Sequence, residues 1–268
     1  MRYVAEKRGM GFFSIDVPHN DTPAAEKYVA GQLYEMIGEL EKTVGRKLNM
    51  DELSETIRRE NESKRLYGSF AEQSKKRWYP NTLTALTAML YPTHLSIGSE
   101  EALDLFRLLD QDIKNYPEKQ INRIMWVHLL PYYQKTLREC FNLSEKNYIS
   151  VYDFTLDYME EMDAEHPVEA IARKMLRNAY NGDYSRKIRM LSDLADEFEP
   201  DGLIHYCHWG CKQSSGGVMM LREEMTKKGV PMLVLDGDAM DRRNDQEGQL
   251  KTRLEAFLEM VENRRCMR

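Results

Sequence analysis

"GLIHYCHWGCKQSSGG" occupies residues 202–217, and "VPMLVLDGD" follows at 230–238. The first opens on an apolar run of strand length, turns through small residues, and leads past Gly216 and Gly217 into a helical segment. The second is again apolar and ends in Asp236, Gly237 and Asp238. Strand, loop, helix and strand make a βαβ unit, whose two strands lie parallel in one sheet. Two more apolar runs precede it: "RIMWVHLLP" (123–131), closed by Pro131, and "YISVYDF" (148–154). Helical stretches separate them; in one, Ile188, Leu191, Leu194, Ala195 and Phe198 share a face. The alternation predicts a parallel α/β sheet wound both ways. Right-handed crossovers predict the strand order 2-1-3-4.

The front of the chain reads differently. "GFFSIDV" (11–17) predicts a strand, and Thr22 caps a helix with Pro23 at its first position. Helical segments then run to about residue 120, with Ser99 as a further cap. "GFFSIDV…AGQLYEMIGELE" (11–41) resembles "VPMLVLDGD…EGQLKTRLEAFLEMVE" (230–262). Each is read as a strand ending in an acidic residue, a polar loop and a helix opening on Gly-Gln-Leu. A duplication is therefore expected, with residues 1–120 holding the remnant of a first α/β domain plus a helical region, and residues 121–268 a second domain. The strand at 11–17 has no local partner.

Composition narrows the function. The 268 residues carry a net charge of −6, against a nucleic-acid partner. No apolar run approaches the ~20 residues that span a bilayer, and the start has no leader pattern. A cytoplasmic protein is expected, in which Cys140, Cys207, Cys211 and Cys266 stay reduced.

Ligands of an open parallel sheet bind at the strands' carboxyl ends. The tips here are Pro131–Tyr133, Asp153–Phe154, the Cys207–Gly217 loop and Asp236–Asp238. The loop is the richest in chemistry. Its glycines permit close backbone approach, and the following helix N-terminus favours an anion. An isolated CxxxC is nonetheless more often a pair of small buried hydrophobes. Zinc is disfavoured because Cys207, Cys211, His205 and His208 crowd into seven residues with no second ligand pair. A nucleophilic cysteine needs a histidine across the site, and none stands out. His128 is expected mid-strand, as a core histidine. The loop "DGDAMDRRNDQEGQ" (236–249) offers Arg243, Asn244 and Glu247 to hold a carboxylate or line a channel, or is simply solvated.

"HWGCKQSSGG" (208–217), followed by "LVLDGDAMDRRNDQEGQLKTRLEAFLE" (233–259), resembles the 2-hydroxyacyl-CoA dehydratase component D family. "FFSIDVPHNDTPAAEKYVAGQLYEMIGELEKTVGRKL" (12–48) is similar to that family's mid-chain stretch. The resemblance implies Rossmann-like halves around a [4Fe-4S] cluster with three cysteine ligands, a paralogous second subunit, an ATP-dependent iron–sulfur activator protein and an acyl-CoA substrate. One-electron reduction of the thioester carbonyl would give a ketyl radical that expels the α-hydroxyl. Benzoyl-CoA reductase and double-cubane reductase subunits share the pattern, and a cluster-less scaffold or split-gene partner is the alternative of another class. Carried over residue by residue, Cys211 is the cluster ligand and Cys207 a lesser candidate. His208, Trp209, Gly210, Gln213, Ser214, Asp236, Asp238, Arg243, Asn244 and Glu247 surround cluster and substrate. No catalytic acid or base is assigned. The family's other two ligands lie ahead of the "IDVP" stretch, so the chain is expected to lack most of the N-terminal domain and to need ligands from elsewhere.

Overall fold

The computed structural model describes residues 1–244 and 247–267. The elements are α1 (Arg2–Arg8), α2 (Pro23–Val44), α3 (Met50–Ser74), α4 (Leu83–Ala88), α5 (Glu100–Asp112), β1 (Asn122–Val127), α6 (Lys135–Phe141), β2 (Asn147–Tyr152), α7 (Pro167–Arg177), α8 (Tyr184–Phe198), β3 (Gly202–His208), α9 (Lys212–Ser215), α10 (Val218–Lys227), β4 (Met232–Gly237) and α11 (Glu247–Cys266). They make two compact units. One joins Met1–Arg58 to Glu160–Asp183; the other joins Arg59–Met159 to the chain from Tyr184 onward.

The second unit holds the sheet, in the order β2-β1-β3-β4, with every pair parallel. This is the order the crossover rule predicts. All six residues of β1 are buried, because helices cover both faces of the sheet. Ile124 and Trp126 pack with Leu137 and Phe141 of α6 and with Leu254, Phe257 and Val261 of α11. Met125 and Val127 face the opposite layer, with Leu191 and Phe198 of α8, Leu221 of α10 and Phe106 of α5. At Gly202 the last helix presses onto the sheet: an added Cβ would lie 2.8 Å from both Phe257 and Val261. Only glycine permits that approach.

Side chains also cover the sheet's edges. The Asn81 amide donates to the Ile149 carbonyl at 3.4 Å, and the Ser74 hydroxyl reaches the Ser150 carbonyl at 3.3 Å. On β4, Arg253 donates to the Val234 carbonyl.

The first unit is built on α2 and α7. Val29, Ala30 and Leu33 pack with Val168, Ala172 and Leu176, and Arg173 grips Glu26 through two hydrogen bonds of 3.1 and 2.7 Å. Thr22 caps α2 through the Ala25 N–H, with Pro23 in the first turn, as expected. Residues 11–17 do not form the expected strand. No ladder is available to them, and the Gln32 side chain takes its place: it accepts from the Asp16 N–H at 2.8 Å and donates to the Asp16 carbonyl at 2.9 Å. The two stretches likened in sequence differ at the helix as well. Gly31-Gln32-Leu33 lies inside α2, eight residues past its start, whereas Gly248-Gln249-Leu250 lies in the first turn of α11. Among the described residues no helix is long and apolar enough to cross a membrane.

Candidate functional site

Because the four strands run parallel, they end along one edge of the sheet. The residue after β1 is His128, with a backbone φ of 75°. A side chain other than glycine rarely adopts that geometry, and such strain concentrates at functional sites. Its backbone N–H donates to Asp153 Oδ1 at 2.9 Å, which ties the tip of β1 to the tip of β2. The other Asp153 oxygen lies 3.9 Å from Lys187 Nζ, and both side chains are fully buried. Lys187 reaches this depth because it sits four residues before Leu191 on the inward stripe of α8.

Cys211 follows the tip of β3 and precedes the short helix α9. Its carbonyl gathers the turn, accepting from the backbone N–H groups of Ser214 and Ser215 and from both of their hydroxyls. Its Sγ lies 3.4 Å from His128 Nε2. A second thiol–imidazole pair lies deeper, with Cys207 Sγ 3.4 Å from His205 Nδ1. The two imidazole rings are 6.4 Å apart. Their remaining nitrogens, His128 Nδ1 and His205 Nε2, are buried with no hydrogen-bond partner among the described residues. His128 is therefore not mid-strand. It is the histidine across the site that local spacing could not find. Gly217 serves packing: a Cβ there would fall 2.0 Å from the Tyr184 ring.

Burial decides the protonation of these groups. It holds His128 and His205 down to about 3, and the Lys187 ammonium adds to the effect on both. Both imidazoles are neutral at pH 7. Burial also lowers Lys187, partly offset by Asp153 and the two cysteines. An imidazole depressed on folding stabilises the protein above the unfolded value of 6.5 and loses that contribution as pH falls toward 3. Each histidine adds about 1.4 kcal/mol per pH unit to the slope once the unfolded form is protonated. Urea unfolding at pH 7, 6, 5 and 4 is expected to show this steepening. His205→Phe should flatten the slope by about one proton; an unchanged slope would contradict the burial assignment.

Burial, then Asp236, pushes the Cys207 thiol up to about 11. The thiol is therefore protonated at neutral pH. At pH 8, iodoacetamide is expected to modify exposed Cys266 first and Cys207 last, because Cys207 is buried and held protonated. Mass spectrometry of the digested chain reads that order directly, and early labelling of Cys207 would contradict it.

The other predicted residues divide by position. His208 accepts the Ala239 N–H on Nδ1, and Ser214 is fully buried beneath Cys211. Asp238 accepts from the Met240 and Asp241 N–H groups and from the Asn244 amide. Trp209, Gly210 and Asp236 are exposed, and Gln213 is half-buried. Arg243 turns outward onto Asp241. Glu247 caps α6, accepting from the Lys135 N–H at 2.7 Å and from the Thr136 N–H and hydroxyl at 3.1 and 2.5 Å. Burial alone would raise its carboxyl, but those hydrogen bonds hold it below the usual range. Asp245 and Gln246 of the predicted charged loop lie outside the described residues.

Residues 1–261 match the family described as 2-hydroxyglutaryl-CoA dehydratase, D-component. The chain belongs to that family. Its similarity to the (R)-phenyllactyl-CoA dehydratase alpha subunit of Clostridium sporogenes is 22% identity over 97% of this chain and 66% of that protein. To the (R)-2-hydroxyglutaryl-CoA dehydratase alpha subunit of Acidaminococcus fermentans it is 21%, over 97% of this chain and 56% of that one. A benzoyl-CoA reductase subunit of Thauera aromatica matches at 27% over 38% of the chain and 24% of its own length. The chain thus spans about 56–66% of the length of these two dehydratase subunits.

A [4Fe-4S] cluster of the kind the resemblance implies needs several thiolates at one place. Cys207 and Cys211 lie at the carboxyl edge of the sheet. Cys266 closes α11, where neighbouring Arg265 reaches Asn122 at the start of β1. The Cys140 carbonyl likewise meets Asn147 at the start of β2. The cysteines therefore stand at opposite ends of the strands. Among the described residues no group of three or more His, Cys, Asp and Glu is arranged to hold a metal ion. The residues of this dehydratase-family chain do not by themselves fit a [4Fe-4S] cluster.

Proposed function

We propose that the chain is a component of a 2-hydroxyacyl-CoA dehydratase and contributes Cys211 as a single thiolate ligand to a [4Fe-4S] site whose other ligands come from additional polypeptide. The observation that carries this is the position of Cys211. It stands at the strand tips, half-buried, beside a neutral imidazole and within electrostatic reach of buried Lys187. That surrounding suits a ligating thiolate: the ammonium offsets its charge, and His128 can donate a hydrogen bond to sulfur. The neighbouring thiol, Cys207, is held protonated and serves packing. A paralogous second subunit, an ATP-dependent iron–sulfur activator and the acyl-CoA substrate belong to the assembled enzyme. No step of the radical elimination is assigned to this chain alone.

The dehydratase reading is preferred to a benzoyl-CoA reductase because the dehydratase subunits match over nearly the whole chain and the reductase subunit over 38% of it. A cluster-less scaffold is the second reading, favoured by the separation of the four cysteines. Anoxic reconstitution with iron and sulfide, alone and with the companion chains, decides between them. The dehydratase reading expects cluster uptake and turnover of a 2-hydroxyacyl-CoA only in the assembly, and loss of both with Cys211→Ser. Full uptake and turnover with the Cys211→Ser chain would establish the scaffold.

A further inference from the structure

The turn that follows α4, Tyr91–Leu95, has π-helical hydrogen bonding, with the Ser96 N–H on the Tyr91 carbonyl at 3.1 Å. Such widened turns are rare, and they recur at functional positions. This one carries a buried hydroxyl, Thr93, and an imidazole at the surface, His94. Thr93 Oγ1 lies 2.7 Å from the Met89 carbonyl and 2.9 Å from His94 Nδ1. His94 Nε2 lies 3.3 Å from Asp157 Oδ1. All of these residues belong to the sheet-bearing unit.

Proton counting fixes the state of the ring. A carbonyl only accepts, so the single Thr93 hydroxyl proton goes to Met89. Toward His94 the hydroxyl then accepts, and Nδ1 carries a proton. A carboxylate also only accepts. A bare Nε2 would set one lone pair against another at 3.3 Å, so Nε2 carries a proton as well. The arrangement is that of an imidazolium. Neighbouring elements bring further charges. From α3 come Arg59, held on the Gly98 carbonyl at 2.8 Å, and Lys64, which pairs with Glu60 at 2.8 Å and lies over the Tyr158 ring at 4.6 Å. Glu100 and Glu101 open α5, and α4 has no charged residue. Asp157 is the carboxylate placed against the ring.

Asp157 belongs to the loop that leaves the tip of β2. That loop begins with Asp153 and Phe154, and the Phe154 ring lies 5.3 Å from that of His128, the neighbour of Cys211. Thr155 is pinned to the core by the Tyr67 hydroxyl at 2.8 Å. We propose that His94 and Asp157 form a pH-sensitive latch: the imidazolium holds the far end of this loop, residues 156–159, on the π-helical turn, and loss of its proton releases them. The proton leaves from Nε2, because the Thr93 hydroxyl keeps Nδ1 protonated. The latch is therefore closed in mildly acid solution and opens as pH rises through the histidine range. It is a property of this chain and does not depend on the function proposed above, so each can fail without the other.

The test is a pH titration of the full, nitrogen-labelled chain by NMR, with the His94 ring signals identified by their loss in His94→Gln. Between about pH 5.5 and 8.5, Nε2 is expected to lose its proton and Nδ1 to keep it. Asp157→Asn keeps the shape of the side chain and one oxygen but not the charge. It should lower the His94 midpoint by about half a pH unit, the range of a partly exposed ion pair. Corrected for its intrinsic pH dependence, amide exchange at Asp157, Tyr158 and Met159 should rise about twofold to fivefold across the same midpoint. In His94→Gln, exchange at these amides should stand at the raised level throughout. Loss of the Nδ1 proton first, a midpoint unmoved by Asp157→Asn, or exchange that does not follow the His94 titration would each overturn the latch and leave a plain surface ion pair.

Discussion

Asp153→Ala is expected to lower the unfolding free energy of the sheet-bearing unit by about 3–5 kcal/mol, the range for breaking a buried ion pair by removing one partner. Asp153 does two jobs. One oxygen receives the His128 N–H, which holds the strained backbone at the tip of β1. The other faces the buried Lys187 ammonium at 3.9 Å. Alanine leaves the ammonium without its carboxylate and His128 without its tie. At about 2–4 °C per kcal/mol for a chain of this size, the melting temperature should fall by about 10 °C. The two jobs separate by substitution. Asp153→Asn keeps an oxygen for His128 but not the charge, and adding Lys187→Met should recover most of its loss, since an apolar replacement for a buried pair is often neutral. A loss under about 1 kcal/mol for Asp153→Ala would show that the tips are held by something else.

On the dehydratase reading proposed above, Cys211→Ser is expected to leave folding nearly unchanged and to abolish turnover of the assembly. Cys211 is only half-buried, and serine preserves the turn because the carbonyl of residue 211, not its side chain, gathers Ser214 and Ser215. Substituting groups that merely support a metal ligand costs about 10–100-fold, so loss of the ligand itself should cost at least about 100-fold. His128→Ala should fall within the supporting range. Activity of Cys211→Ser within about threefold of the parent would remove Cys211 from the ligand set and leave the chain the cluster-less scaffold of the second reading.

The sheet was legible because its signals are local. Each strand is a short apolar run stopped by a turn, and the connecting helices show a periodic apolar face. The carboxyl-edge loop followed from the same grammar. What escaped detection depended on partners distant in sequence. "GFFSIDV" has strand composition, but composition cannot supply a ladder, and the Gln32 side chain supplied the hydrogen bonds instead. His128 and Cys211 are 83 residues apart and meet only because β1 and β3 are adjacent. The contact of Glu247 with the helix that begins at Lys135 spans 112 residues and was equally invisible. One missed signal was available: Lys187 stands on the apolar stripe of α8, four residues before Leu191. A lysine in that register is buried, and a buried lysine needs a reason.

The covered edges of the sheet bear on how this chain can meet others. An exposed edge strand recruits partners by adding their strands to its own, the route of many peptide complexes and of fibril growth. Here Asn81 and Ser74 occupy backbone carbonyls along β2, and Arg253 occupies one on β4. The four-stranded sheet is thus guarded against growth on both flanks. Strand addition on either flank would first have to displace these side chains, and misassembly by strand exchange is discouraged at the same three residues.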